Sequence, residues 1–193
     1  MLADTKQVNS TLGVEEEKTT ESYEELRNAL VKTVQSVHPS WSDVQTDLLK
    51  IANFMMNFDK VISLNYDLLV YWAMLIGNTR EGGNRFKDCF VRDETTGKLI
   101  FDETAIEYME MPHGSQRRAT LIYYPHGNLV LANEPFGDEV KLSRSTNDCL
   151  LEKIVLRWEL GGCTPLFVGE GRTRDKMRTI RNSHYLTNVY NRT

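Results

Sequence analysis

Lys60-Val61-Ile62-Ser63-Leu64-Asn65-Tyr66-Asp67, with the apolar run Leu68 to Ile76 behind it, decides how this chain folds. Residues 60–65 form a brief, β-branched, nearly continuous apolar run, the pattern of a strand buried on both faces. Asp67 stands where a helix N-cap belongs. The residues after it are apolar all round, which predicts a buried helix. Strand, short polar turn and buried helix in that order imply an α/β layer fold with parallel strands.

Working back from this unit, Val44, Leu48, Ile51, Ala52 and Met55 recur at helical spacing, with Ser40 or Ser42 as the cap. His38-Pro39 ends an earlier helix, because the residue before proline is pushed out of the helical region. That helix begins at Glu21 and carries Tyr23, Leu26, Leu30, Val34 and Val37 as its stripe. Residues 1–20 are polar, with Glu15-Glu16-Glu17, and offer little apolar surface to offset ordering entropy. They read as a loose arm, and residues 21–193 as a single α/β domain.

Working forward, Gly77 to Gly83 reads as a loop. Residues 84–119 are poorly periodic, apart from a short strand at Leu99-Ile100-Phe101. Thr120 to Tyr124 and Asn128 to Leu131 read as strands flanking Pro125-His126-Gly127, a spacing that favours a turn or a strand break. Asn147 opens a helix with Leu150, Leu151, Ile154, Val155 and Trp158 on one side, closed by Gly161-Gly162. Pro165-Leu166-Phe167-Val168 is another buried strand. A last helix starts near Thr173, with Met177, Ile180 and His184 as its stripe.

With 193 residues, 40% hydrophobic and 26% charged, the chain can bury a core of its own. A net charge of −4 opposes general nucleic-acid binding, which draws its affinity from phosphate neutralisation by a basic face. No apolar run approaches the roughly 20 residues that cross a bilayer. The start of the chain lacks the basic and apolar segments of a secretory signal. Cys89, Cys149 and Cys163 are widely spaced and odd in number, so they form neither a disulfide framework nor a metal knuckle. Reduced thiols and a cytoplasmic location follow.

Three constellations bear chemistry. In open parallel sheets ligands bind beyond the carboxyl ends of the strands, where Asn65 and Asp67 fall. An amide both donates and accepts, and a carboxylate accepts from a ligand amide or hydroxyl. The same residues also suit a plain turn at Asn65 and a helix cap at Asp67. His126, at the end of the aromatic strand Tyr123-Tyr124, can reach the same crevice and take a proton at neutral pH; a hairpin tip facing water is the alternative. His113-Gly114 has the same form, but no strand precedes it. Gly169-Glu170-Gly171-Arg172-Thr173-Arg174 could hold an anion at a helix start, though Glu170 opposes that. A solvated helix face is the simpler reading. Phosphate-loop, zinc-protease, nucleophile-elbow and EF-hand spacings do not occur.

Three blocks together carry a resemblance: VISLNYDLLVYW at 61–72, IYYPHGNLVL at 122–131 and TPLFVGEGRTRDKMRTIRNSHYL at 164–186. Their order and separation resemble a bacterial and phage family of unknown function, DUF4917-type, within the sirtuin-like group. The first block resembles the sirtuin Asn-x-Asp motif, and the second its catalytic His-Gly. The resemblance implies a Rossmann-like parallel sheet flanked by helices, with NAD as substrate lying across it and losing its nicotinamide. On that pattern Asn65 orders the ribose or the attacking water, and Asp67 holds the carboxamide. Tyr66 lies between them in the cofactor-binding segment, and His126 is the base. Relatives of this kind deplete NAD in defence against phage.

The chain also departs from that pattern. Sirtuin-like proteins open with a strand and a glycine-rich phosphate cradle, whereas here Gly13 is the only glycine before Gly77. They continue beyond Tyr185-Leu186 into a further strand. The expectation is therefore a partial Rossmann-like sheet, the middle of a longer protein. Losing even 3–4 kcal/mol of phosphate binding would weaken NAD affinity by roughly several hundredfold. An unpaired sheet edge would invite self-association or a partner chain. Besides an NAD-hydrolysing enzyme, the sequence thus accommodates a non-enzymatic remnant or interaction module. It equally accommodates one part of a split enzyme.

Overall fold

The computed structural model describes residues 8–9, 11–13, 17–80, 85–110, 119–134, 138–142, 150–169 and 172–193. Two long helices come first, α1 (Glu17–Val37) and α2 (Trp41–Met55). Ser40 caps α2 by accepting from the Asp43 amide at 3.3 Å, and Leu48, Ala52 and Met55 form its buried side. Helix α1 starts four residues ahead of the expected Glu21. Its buried residues are Val31 and Val34, with Leu30 half-covered, while Leu26 and Val37 face outward. Among the residues whose burial is described, the buried ones fall in the second half of the helix.

Strand β1 (Lys60–Ile62) leads to helix α3 (Leu69–Arg80), the predicted strand–turn–helix unit. Two details differ from expectation. The strand is shorter, and it is not buried on both faces. Helix α3 runs through Gly77 to Arg80, where a loop was expected. Gly77 is needed there because a Cβ would fall 2.2 Å from the Phe86 ring.

Short strands follow: β2 (Phe86–Lys87), β3 (Phe90–Arg92) and β4 (Leu99–Phe101), then helix α4 (Glu103–Glu110). Next come β5 (Thr120–Tyr123), β6 (Gly127–Asn133) and β7 (Glu139–Lys141). Helix α5 (Leu150–Glu159), strand β8 (Thr164–Phe167) and helices α6 (Thr173–Arg181) and α7 (His184–Tyr190) complete the chain. Asn147, Cys149 and Glu170-Gly171 lie outside the described residues, as does His113. Cys89 and Cys163 are free and buried.

The strands form two sheets. A parallel sheet has the order β1-β5-β2, with Val61 opposite Ile122 and Lys87 opposite Leu121. An antiparallel sheet has the order β3-β4-β7-β6-β8. The fold is thus α/β with helices flanking both, but parallel pairing is confined to three strands. Strand β8, expected within a parallel sheet, instead runs antiparallel to β6. Nor do β5 and β6 make a hairpin: the chain passes from one sheet to the other at Tyr124-Pro125-His126.

The predicted last helix is two helices. Helix α6 stops at Arg181, and Ser183 caps α7 by accepting from the Leu186 amide at 2.9 Å. His184 therefore belongs to no apolar stripe; it is exposed, 2.7 Å from Glu103. Among the described residues no helix is long and apolar enough to cross a membrane.

Candidate functional site

The segment after β1 is pinned from three directions. Ser63 donates its amide to the Tyr123 carbonyl at 2.9 Å, prolonging the parallel pairing past Ile62. Leu129 donates to the Tyr66 carbonyl at 2.8 Å, and the Asn128 amide side chain donates to the Asp67 carbonyl at 2.6 Å. His38 supports the far side. Its Nε2 accepts from the Leu68 amide at 2.9 Å while Nδ1 lies 2.9 Å from the Pro39 carbonyl, so the proton sits on Nδ1. The His38 ring also meets Trp72 edge-on, with centroids 5.0 Å apart. In the sequence His38 was legible only as a helix end.

The third block closes the cluster. Val168 donates to the His126 carbonyl at 2.8 Å, and the Tyr66 hydroxyl donates to the Val168 carbonyl. The Tyr66 and Phe167 rings lie 5.3 Å apart. Tyr185, from the same block, accepts the Tyr124 amide on its hydroxyl at 3.1 Å. Residues 63–67, 123–129 and 166–168 therefore meet at the carboxyl ends of β1 and β5, the position where open parallel sheets bind ligands.

Gly127 makes this meeting feasible. Its φ of +82° is left-handed, and a Cβ there would stand 2.1 Å from the Leu166 carbonyl oxygen. The glycine beside His126 thus has a packing cause: the backbone of the paired strand β8 presses directly against it.

The four nominated residues differ in what they already do. Asp67 stands one residue before the cap position of α3, and its Oδ1 accepts the Leu69 amide at 2.9 Å, so this carboxylate already serves the helix start. Its other oxygen has no partner among the described residues. Tyr66 is half-buried and tied to Val168. Asn65 is exposed and His126 half-buried, and neither side chain forms a hydrogen bond among the described residues. Two polar groups and one carboxylate oxygen are consequently uncommitted on segments that the backbone brings together. The neighbouring phenols stay protonated. Burial, with the charge of Asp88 adding to it, pushes the Tyr124 hydroxyl well above its ordinary range, and burial does the same at Tyr185. No group of three or more His, Cys, Asp or Glu side chains among the described residues is arranged to hold a metal ion.

The Arg172–Arg174 segment, read as a solvated helix face, borders an open hollow of about 840 Å³ along α6 that also includes Arg178 and Arg181. Sequence reasoning missed a second polar feature. Asp88 and Lys141 form a buried ion pair of 2.5 Å. Because they stand 53 positions apart in the chain, no local pattern signals it.

Two sheets of opposite pairing, joined by a left-handed glycine and meeting at a polar strand end, define an α/β protein with a crevice-type candidate site. Over residues 1–193 the chain matches the family described as Domain of unknown function (DUF4917), and it belongs to that family. No curated protein matches it.

Proposed function

We propose that the chain hydrolyses the nicotinamide–ribose bond of NAD at the crevice beyond β1 and β5. The observation that carries this reading is the junction of residues 63–67, 123–129 and 166–168, which leaves Asn65, Asp67 Oδ2 and His126 uncommitted at one strand end. Asp67 accepts from the nicotinamide carboxamide, and Asn65 orders the ribose or the attacking water. As the carbon–nitrogen bond breaks, the sugar becomes cationic and oxocarbenium-like, a charge that the carboxylate and oriented dipoles stabilise. Water adds to the anomeric carbon and gives up a proton to His126, while nicotinamide leaves with the bond's electron pair. The products are nicotinamide, ADP-ribose and a proton. Such depletion suits a role in phage defence.

A second reading, an interaction module, draws on the edge of the parallel sheet. Among the described residues strand β1 pairs with β5 on one side only, and Ile62 and Leu64 are 44% and 56% exposed. Phe54 and Phe58, also exposed, meet edge-on with centroids 5.1 Å apart just before the strand. An edge of this kind pairs readily with a second copy of the same chain.

One experiment separates the two. Purified protein is incubated with NAD and nicotinamide release is followed by chromatography, with sedimentation velocity on the same sample. Hydrolysis should fall at least about a hundredfold in His126→Ala, the range general-base removal typically gives. Folded protein that releases no nicotinamide, yet sediments as a dimer that Ile62→Lys converts to monomer, would sink the enzyme reading in favour of the module.

A further inference from the structure

A cleft of about 430 Å³ opens between α3, the β2–β3 segment and β7, and shares no lining residue with the site at Asn65, Asp67 and His126. This volume falls in the range of small-molecule pockets. Its walls are about half apolar, and Met74, Phe86, Phe90 and Leu99 belong to that half. The charged groups on it are unequal. Lys87, Arg92 and Lys141 line it together with a single acid, Asp88.

That acid is fully committed. Asp88 Oδ2 binds Lys141 Nζ at 2.5 Å, and Oδ1 accepts the Phe90 amide at 3.2 Å. The pair is deeply buried, with side chains 4% and 8% exposed. Lys141 is further wedged between the Tyr71 and Phe90 rings, 5.8 and 5.6 Å from their centroids. Arg92 donates to the Gly97 carbonyl, which carries no charge to offset it. Lys87 is half-buried and has no acid within ion-pair distance among the described residues. Burial without a compensating carboxylate lowers its pKa from the ordinary lysine value.

An ammonium held partly out of water, beside a neutralised ion pair and apolar walls, is costly unless an anion joins it. We propose that this cleft binds a small organic anion, its carboxylate or phosphate head meeting Lys87 and its apolar body lying against Phe86, Phe90 and Leu99. Lys141 and Asp88 form the rigid floor. They hold the walls in place and keep Asp88 from competing with the ligand for Lys87.

The test is an amide-detected NMR titration of the whole chain with phenyl phosphate, with benzoate and with the neutral isostere benzyl alcohol. At least one anion should saturate shifts at Asn78, Lys87, Leu99 and Lys141, and the tighter of the two identifies the preferred head group. Benzyl alcohol should bind at least about tenfold more weakly, as expected when a charge-assisted contact is missing. Lys87→Gln should weaken the anion by about the same factor, and Lys87→Arg should restore it. Equal binding of the alcohol and the anions, shifts confined to other surfaces, or unchanged affinity in a folded Lys87→Gln protein would each overturn the proposal. So would the absence of any saturable shift in the parent chain. Inorganic phosphate alone, lacking the apolar body, should bind more weakly than phenyl phosphate.

Discussion

The two sheets place their polar chemistry in opposite ways. The parallel sheet is small, with β1 at one edge and β2 at the other, and its polar groups sit at the strand ends. Asn65, Tyr66 and Asp67 follow β1, and His126 follows β5. The antiparallel sheet is larger, and β6 is buried along nearly its whole length. Its notable polar group, Lys141, is the last residue of β7 but is buried and paired with Asp88, which lies just past the end of β2 in the other sheet. Strand ends are where a backbone runs out of partners and side chains can face a ligand. A buried charge is tolerated only when another element supplies its counter-ion. On the proposed function, the antiparallel sheet serves as the rigid support and the parallel sheet as the working rim.

The most severe way to break this arrangement is at the junction of the sheets. Gly127→Ala puts a methyl group 2.1 Å from the Leu166 carbonyl oxygen and forces a left-handed alanine. Backbone cannot yield as a flexible side chain does. The left-handed strain alone is about 1–2 kcal/mol, and the overlap must part β6 from β8, the pairing that holds Val168 beside His126. The expected outcome is loss of cooperative folding, read as a missing transition in thermal unfolding followed by circular dichroism. A folded Gly127→Ala protein with an unchanged transition would show that β8 does not press on this strand.

The tie between the sheets comes next. Lys141→Ala leaves Asp88 buried and uncompensated, and should destabilise the protein by about 3–5 kcal/mol in urea unfolding. The double variant Asp88→Leu with Lys141→Met replaces the pair by apolar groups and should recover most of that loss. If the double variant is as damaged as the single one, the pair does more than neutralise itself, and the two sheets depend on its geometry. If Lys141→Ala alone is harmless, the sheets are independent supports.

The parts legible in the sequence were those whose signal is local. Helix α2, the β1–α3 unit, β4 and the helix of Leu150 to Trp158 follow from apolar spacing and from caps that act within a turn. Strands β2, β3 and β7 are two or three residues long, too short to establish an alternating pattern, and Asp88 and Lys141 interrupt the apolar signal where they stand. Helix α4 fell in the same aperiodic stretch. Strand direction was not legible either. Thr164–Phe167 reads equally well in a parallel or an antiparallel sheet, and its orientation follows from the sheet change at Pro125 and the close approach at Gly127. At the candidate site, the residue types were readable from Asn65, Asp67 and His126, and so was the double role of Asp67. Their support by His38, Asn128 and Tyr185 was not, because each of those contacts spans tens of residues.

The mildest perturbation tests the working rim itself. Glu110, at the end of α4, accepts from Lys60 of β1 at 2.7 Å, from the Tyr123 hydroxyl of β5 at 3.2 Å and from Arg192 at 2.9 Å. Burial raises its pKa, but the hydrogen bond and charge of Lys60, with Tyr123 and Arg192, outweigh it and hold the carboxyl below its ordinary value of 4.5. A carboxylate depressed in the folded state stabilises the protein fully above its unfolded pKa and loses that contribution as pH falls through the folded one. Glu110→Gln should therefore be less stable than the parent at neutral pH, by no more than about 1 kcal/mol given the partly exposed partners. The difference should shrink as pH drops below about 4.5. Asp93 is also depressed, chiefly by its hydrogen bond from Thr96, but it is present in both proteins and cancels from the difference. Urea unfolding at closely spaced acidic pH values measures the gap. A gap that stays constant through that range would mean Glu110 holds β1 and β5 by shape and not by charge, and the rim would then owe its acid sensitivity to other groups.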